Sequence, residues 1–279
     1  MMKTLQTSGS TPIKRYIELA SEKGASSWLT VHPIEEHGFY LSKDDFRDAL
    51  CLRYSWPLTD MRLRCECGLD VTIDHAMICK KGGFPILRHN EIRNITADLL
   101  KEVCHDVAVE PLLRPLDGEH IDQHTANTSD YARADIPARG VWRRGERAFF
   151  DIRVFYPNAK SYRHHSSLTS CYGIHENEKK REYGQRVREV EHGSFTPLVF
   201  TSTDGTGPEA TTLYKRIASL LTTKMNEHYS TVMQLIRCRI SFALLRSAII
   251  CIRGTRSCTY HPIDIDTVRL ITSETHLTE

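Results

Sequence analysis

The sequence has neither a signal-peptide core nor an apolar run long enough to cross a membrane. Its beginning, "MMKTLQTSGSTPIKRYIELA", contains no block of consecutive apolar residues, and the most apolar later run, "FALLRSAIICI", is broken by Arg246. Both absences argue against a secreted or membrane-bound protein. We therefore expect an intracellular protein without a membrane partner.

The chain has almost no excess of charge of either sign. Its 37 Lys and Arg against 35 Asp and Glu leave a formal net charge of +2. A uniformly basic protein is therefore excluded, and any nucleic-acid site must come from local clusters of basic residues. Two clusters occur, at residues 139–147 and 179–181. For a lone charge run, a solvated surface is the simpler explanation.

Internal repeats, low-complexity segments and a Tyr-x-Asp-Asp segment are also missing. The last of these absences excludes reverse transcriptase activity in this chain. What is present is a sequence of 279 residues, 40% of them hydrophobic. That content is enough for the packed core of one large domain or two small ones.

Hydrophobic periodicity predicts an alternation of helices and strands. Residues 1–64 form a helix-rich lead that breaks at "SEKGASSW", after which Ser42 caps a helix. The next part is predicted as helix, strand, hairpin, helix, strand and helix. The helices are predicted at "RHNEIRNITADLLKEVCHDV", "YGIHENEKKREYGQRVREVE" and "GPEATTLYKRIASLLTTKM", and the strands at "VAVEP" and "FTPLVFTS". A surface loop is predicted at residues 115–131 and the hairpin turn at Gly140–Gly145. A long helix at residues 227–253 precedes a polar tail.

Nine cysteines, an odd number with uneven spacing, favour reduced thiols over a disulfide framework. One group, Cys65, Cys67, His75 and Cys79, has the spacing of metal ligands. Gly68 allows a sharp turn after the first pair, and the gap from His75 to Cys79 places both on one helical face. Thiolates and an imidazole suit tetrahedral zinc. Ordinary reduced cysteines are the alternative, because Cys-x-Cys is tighter than the usual spacing.

Two aspartates, Asp135 and Asp151, interrupt apolar runs within "ARADIPARGVWRRGERAFFDIRV". Side chains alternate along a strand, so Asp151 and Arg153 share one face. A hairpin turning at Gly140–Gly145 can bring Asp135 beside Asp151. Two clustered carboxylates repel each other, and a Mg²⁺ or Mn²⁺ ion held by both relieves the repulsion and activates water for phosphodiester hydrolysis. The alternative is that Arg133 pairs with Asp135 and Arg153 with Asp151.

These pieces occur in an order that resembles the restriction-like endonuclease region at the C-terminus of non-LTR retrotransposon polyproteins. Those nucleases are similar to the PD-(D/E)xK class. The resemblance is carried, in chain order, by "CECGLDVTIDHAMIC", "RHNEIR", "VEPLLRPL", "RADI", "FFDIRV", "EKKREYG" and "FTPLVF". It covers roughly half of the chain, and the ordered set is more specific than any single piece. It implies an α/β fold in which a mixed central sheet is flanked by helices and preceded by a CCHC-type zinc knuckle.

The resemblance also implies that Asp135 and Asp151 bind the catalytic metal. It further implies that a lysine on the following helix replaces the one usually found two residues after the second acid. Arg153 occupies that later position, where it can hold a phosphate but cannot lose a proton near neutral pH. Lys179 is the matching lysine. Tyr183 lies four residues further on, on the same helical face.

Further residues are assigned on the same basis. Lys180 is the nearest substitute for Lys179, and Glu176 lies one turn before Lys179 on the same face. Glu91 can add a carboxylate, although a first-turn glutamate stabilised by the helix dipole explains it more simply. We expect DNA as the partner, element RNA as a second one, and no small-molecule substrate. The residues assigned to nucleic-acid binding are Arg88, Arg143, Arg144, Arg153 and Lys180.

The sequence departs from the family pattern at two positions. Ala134 stands where the family has a proline before the first aspartate, and Glu182 replaces the second lysine of Lys-x-x-Lys-Tyr. Two functions are therefore expected. The first is a nuclear, metal-dependent DNA endonuclease that nicks a target site. The second is a decayed or domesticated copy that binds nucleic acid without cleaving it, which Glu182 and the missing polymerase favour.

The expected domain division follows the same resemblance. It comprises a helical linker remnant at residues 1–64, the zinc knuckle at residues 65–87, the nuclease domain at residues 88–225, and a C-terminal helix with a loose tail at residues 226–279.

Overall fold

A computed structural model of the chain describes residues 11–35, 38–113, 133–162 and 167–254. Within these ranges the protein is a mixed α/β structure with a small three-stranded mixed sheet flanked by helices. The predicted loop at residues 115–131 and the predicted polar tail lie outside the described residues.

The described helices and strands follow each other in an order close to the predicted one. The helices are α1 (Thr11–Ala20), α2 (Lys43–Tyr54), α3 (Ile73–Ile78), α4 (Phe84–Lys101), α5 (Leu168–Glu189), α6 (Pro208–Met225) and α7 (Tyr229–Arg253), with 3-10 turns at Ser27–Leu29 and Lys160–Tyr162. The strands are β1 (Ile136–Arg139), β2 (Arg147–Phe155) and β3 (Ser194–Thr201). Two predicted start signals are confirmed. The Ser42 side chain accepts a hydrogen bond from Asp45 N at 3.1 Å, and Pro208 begins α6.

The predicted hairpin is confirmed. β1 runs antiparallel to β2 with Ile136 opposite Phe150, and Gly140 N donates to Glu146 O at 2.9 Å across the turn. Gly140 and Gly145 have φ values of +95° and +80°, in the left-handed region that glycine adopts most easily. β3 then pairs parallel with β2 after the α5 crossover.

The two faces of the sheet are covered by different helices. Phe150 and Ile152 point into the main core, which α4, α6 and α7 share with the sheet. On the opposite face, Phe149 packs against Val187 of α5. The predicted alternation along β2 is therefore confirmed, and the face that carries Asp151 lies under α5.

The predicted strand at "VAVEP" is wrong. His105 and Leu112 each form only an isolated bridge, to Arg139 and Arg133 respectively. Between them, Asp106 and Glu110 have φ values of 53° and 51°. These left-handed residues prevent the extended backbone that a continuous ladder needs.

The first described residues and the long last helix pack against each other. Trp28 and Phe39 share a cluster with Phe242 of α7, and the Arg253 guanidinium contacts both Asp48 oxygens at 2.5 and 2.7 Å. The expected boundary between residues 87 and 88 falls inside the continuous helix α4, and the domain division stays a prediction. No helix in the described part of the chain combines the length and apolarity needed to cross a bilayer.

Candidate functional site

The hairpin brings the two aspartates together under α5. Asp135 directly precedes β1, where the register Ile136 opposite Phe150 places it across from Asp151. Its Oδ2 accepts a hydrogen bond from Ile152 N at 2.5 Å. The Asp135 carboxylate therefore lies against the strand segment that carries Asp151, as the sequence predicts.

Asp151 is a buried acid in an unfavourable environment for its charge. Only 4% of the residue is exposed. Burial, and then the negative charge of Asp135, raise the pKa of Asp151 to about 7, although the nearby Lys179 ammonium lowers it. A carboxyl poised near neutrality, beside a second carboxylate, has the electrostatics expected of a cation site or an acid–base site.

Lys179 of α5 reaches this buried carboxylate. Its Nζ lies 3.0 Å from Asp151 Oδ2 and 3.4 Å from Glu182 Oε2. Burial alone would lower the pKa of Lys179, but the charges of Asp151 and Glu182 raise it above its usual value. Lys179 is therefore an ammonium ion that supplies positive charge at the site.

Tyr183 completes the same face of α5. The Lys179 Nζ lies 5.1 Å from the centroid of the Tyr183 ring, and that ring packs against Phe195 of β3. Burial and the charges of Asp151 and Glu182 raise the pKa of the phenol. Tyr183 therefore stays a neutral hydroxyl that can donate a hydrogen bond.

His89 is a site residue that the sequence reasoning missed. Its Nε2 lies 3.0 Å from Asp135 Oδ1. Burial would lower the pKa of His89, but the hydrogen bond with Asp135 and the charges of Asp135 and Asp151 raise it. "RHNEIR" was recognised as a motif, but only the packing of α4 against β2 shows which of its residues reaches the acids.

The structure corrects what the sequence suggested for two glutamates. Glu91 is not in the first turn of its helix, because α4 begins at Phe84, so the dipole explanation is wrong. Glu176 Oε1 accepts a hydrogen bond from Glu209 N at 3.1 Å and so caps the start of α6. Glu176 is therefore engaged away from the aspartate pair.

The structure does not pair Arg133 with Asp135 or Arg153 with Asp151, which was the alternative to a metal site. Arg133 Nη1 lies 3.9 Å from Glu110 Oε2, and the charge of Arg153 acts on Tyr162 and His175. The charged partners of Asp151 and Asp135 are instead Lys179 and His89.

Arg88 cannot serve as the phosphate contact we assigned it. It is only 3% exposed, and its Nη2 donates to Met77 O at 3.4 Å. The start of α4 packs against α3 and α7, which turns Arg88 into the protein. Arg88 is therefore not available to bind a phosphate, and the prediction for it is wrong.

The other predicted contacts differ in their availability. Arg143 and Arg144 are exposed in the β1–β2 turn, where a phosphate can reach them. Lys180 forms an ion pair with Glu209, and Arg153 is half-buried beside Tyr162. The hairpin tip is thus the most accessible part of the predicted surface.

The four predicted zinc ligands converge. Their ligand atoms all lie within 4.8 Å of one another, with Cys65 Sγ 3.7 Å from Cys79 Sγ and Cys67 Sγ 3.3 Å from His75 Nε2. Gly68 has a φ of +87° and donates its N–H to Cys65 O, which makes the predicted sharp turn. Three sulfur atoms and one imidazole nitrogen at this spacing can bind a zinc ion in a closed tetrahedral site.

Replacing one of the four residues should abolish zinc binding. Purified protein is expected to contain about one zinc ion per chain, and Cys79→Ser is expected to lose it and to melt at a lower temperature, because a structural zinc stabilises the fold that binds it. Cys104→Ser, a buried cysteine outside the cluster, is the matched control and should keep its zinc. The measurement is plasma mass spectrometry after dialysis; full zinc content in Cys79→Ser would contradict the assignment.

A second buried acid shows that burial alone does not define the site. Burial raises the pKa of Asp204 to about 7. Its Oδ2 accepts hydrogen bonds from Ser26 N and from Ser241 Oγ, the latter at 2.6 Å. Asp204 thus ties the first described residues to α7, whereas Asp151 adjoins a second acid and a lysine.

Compared with known proteins, the sequence matches no protein-family model and no curated protein.

Proposed function

We propose that this protein is a metal-dependent DNA endonuclease of the PD-(D/E)xK type, similar to the nucleases that nick target sites for non-LTR retrotransposons. One observation carries the proposal: Asp151 is buried beside Asp135 and within 3.0 Å of the Lys179 ammonium. Two acids and a lysine are the functional set that the motif order implies. They come from a hairpin and the following helix, as the resemblance requires.

We infer that Mg²⁺ or Mn²⁺ would be the cofactor of the aspartate pair. Carboxylate oxygens are the ligands these ions favour. Burial and then repulsion from Asp135 raise the pKa of Asp151, and a cation would relieve the repulsion. Such an ion would polarise the scissile phosphate and activate a water molecule. Asp135 and Asp151 would hold it, and His89 would orient the Asp135 carboxylate.

The protein's own groups supply the remaining electrostatics. The Lys179 ammonium stabilises negative charge that develops on the phosphate, and the Tyr183 hydroxyl can donate a hydrogen bond beside it. Arg153 cannot act as a base, because a guanidinium stays protonated near neutral pH. The proton of the attacking water therefore leaves through another group or through solvent.

A second function, nucleic-acid binding by a decayed or domesticated copy, is favoured by Glu182. The family has a lysine at this position, whereas Glu182 Oε2 lies 3.4 Å from Lys179 Nζ. An added negative charge near the phosphate site opposes the binding of an anionic substrate. The two functions are separated by whether supercoiled DNA is nicked in the presence of Mg²⁺.

Partners and location follow from the same proposal. The exposed hairpin arginines and the zinc knuckle would hold DNA phosphates, with element RNA as a second ligand. A nuclease acting on chromosomal DNA would work in the nucleus.

The hairpin tip should account for part of the salt dependence of DNA binding. Each phosphate contact contributes about −0.9 to the slope of log K against log salt concentration, so Arg143→Ala with Arg144→Ala should make the slope shallower by about 1.8. The matched control is Lys101→Ala with Lys224→Ala. It should change the slope little, because these exposed lysines are already paired with Asp98 and Glu102. Fluorescence anisotropy over a salt series measures both; equal slopes in wild type and the hairpin variant would remove the hairpin from the interface.

A further inference from the structure

Two aromatic side chains at the end of α2 form an exposed stacked pair. Tyr54 and Trp56 are 51% and 53% exposed, and their ring centroids are 5.0 Å apart at an interplanar angle of 29°. Ser55 between them adopts φ 55°, and Trp56 N donates to Cys51 O at 2.9 Å. The left-handed residue folds the chain back, so that the indole lies against the phenol.

The pair is held in place by contacts on both sides of it. Leu52, Leu58 and Met61 pack into the same hydrophobic cluster as Met77, which lies between His75 and Cys79. Arg253 of α7 donates to the Thr59 and Asp60 carbonyl oxygens at 2.9 and 3.2 Å. The aromatic surface therefore faces solvent from a fixed position, which lowers the entropy lost when a ligand binds to it.

The exposed charges of residues 53–81, the part of the chain that contains the pair and the cysteine–histidine cluster, are mixed. The Arg53 guanidinium carbon lies 5.7 Å from the centroid of the Tyr54 ring. Exposed basic residues flank the zinc cluster before Cys65 and after Cys79, namely Arg62, Arg64, Lys80 and Lys81. Exposed acidic residues accompany them, namely Asp60, Glu66 and Asp70. Charge alone would therefore give only modest attraction for phosphates, and the aromatic surface must provide most of any affinity.

We propose that Tyr54 and Trp56 form a stacking platform for the unpaired bases of single-stranded nucleic acid. An exposed aromatic face beside a basic side chain accepts the π-face of any base, whereas paired bases in a duplex hide those faces. This inference rests on the proposed function for the choice of nucleic acid as partner, and it adds unpaired bases to the substrate that the protein prefers. A nicking enzyme with such a platform would hold a frayed or displaced strand next to the duplex.

The test compares single-stranded and duplex binding without added Mg²⁺, so that no probe is cleaved. Trp56→Ala and Tyr54→Ala are each expected to weaken binding of a short oligothymidine about tenfold, since a stacked base contributes on the order of 1–3 kcal/mol, while affinity for a blunt duplex stays within about twofold. Trp56→Phe should retain most of the affinity. Binding of the oligothymidine should also quench tryptophan fluorescence in wild type and in Trp142→Phe, but much less in Trp56→Phe, because Trp56 is exposed, whereas Trp28 is buried and Trp142 is half-buried in the β1–β2 turn.

Tyr229→Ala is the matched control, because Tyr229 is a 43% exposed tyrosine on another element and should leave both affinities unchanged. Zinc content and melting temperature verify that each variant is folded.

The platform is overturned if Trp56→Ala binds the oligothymidine like wild type, or if this variant loses affinity for the single strand and for the duplex equally. It is also overturned if wild type does not bind the oligothymidine, which would leave a protein as the class of partner for the pair. If wild type nicks DNA but Trp56→Ala does not change the affinity for the oligothymidine, the platform alone is rejected. If Trp56→Ala weakens that affinity but wild type does not nick DNA, the nuclease alone is rejected.

Discussion

Asp135→Asn and Asp151→Asn are each expected to reduce Mg²⁺-dependent nicking of DNA to background. Asparagine keeps the shape of the side chain but removes the charge that holds a cation. Asp151 is buried and adjoins Lys179, and Asp135 lies across the hairpin from it. The measurement is the single-turnover nicking rate on a labelled duplex, with DNA affinity and melting temperature recorded for each variant.

Asp106→Asn is the control for this prediction. Asp106 lies on an exposed turn, where it pairs with Arg139 at 2.8 Å, away from the buried pair. Its replacement should leave the nicking rate near that of wild type. Nicking that persists in both Asp135→Asn and Asp151→Asn would place the active site elsewhere in the chain.

Lys179→Ala is expected to lower the nicking rate by about 10²-fold while DNA affinity changes little. The ammonium lies 3.0 Å from Asp151 Oδ2, where it can stabilise charge on a phosphate bound at the site. Lys179→Arg keeps the charge and should recover part of the rate, because its larger planar group fits the site imperfectly.

Lys180→Ala is the matched control for Lys179, since the two lysines are neighbours on α5 but Lys180 pairs with Glu209. As a predicted nucleic-acid contact, Lys180 should contribute to DNA affinity, but its replacement should leave the single-turnover nicking rate on bound DNA close to that of wild type. If Lys179→Ala and Lys180→Ala have equal effects on the rate, Lys179 has no special position in the chemistry.

The parts of this fold that sequence patterns predicted are those fixed by local chemistry. The Gly140 to Gly145 turn, the alternation along β2 and the capping of α2 by Ser42 each depend on residues close in sequence. The convergence of Cys65, Cys67, His75 and Cys79 was also predicted, because a turn and one helical gap suffice to bring them together. The convergence of Asp135 and Asp151 follows from the hairpin register alone.

What the sequence could not predict depends on contacts between distant segments. His89 reaches Asp135 only because α4 packs beside the hairpin, and no local pattern marks that crossing. Arg88, one residue earlier, points into the protein because the start of α4 packs against α3 and α7. The "VAVEP" segment has strand-like residues, but left-handed backbone at Asp106 and Glu110 overrides their propensity.

Glu182 is the residue that bears most directly on whether the protein cleaves DNA or only binds it. The sequence shows that it departs from the family pattern, and the structure adds that it lies 3.4 Å from Lys179 Nζ. In the nuclease, Glu182 would restrain Lys179 near Asp151. In a decayed copy, it would neutralise the ammonium that the phosphate needs.

The measurement that tests the central claim most directly is the conversion of supercoiled DNA to open circles by the zinc-loaded protein in Mg²⁺ or Mn²⁺. We expect nicking by wild type, none without the added divalent ion, and none by a variant that carries both Asp135→Asn and Asp151→Asn. Glu182→Lys, which restores the family's second lysine, is measured beside them. Protein that binds the DNA but leaves it supercoiled, in wild type and in Glu182→Lys alike, would contradict the nuclease and support a protein that only binds nucleic acid.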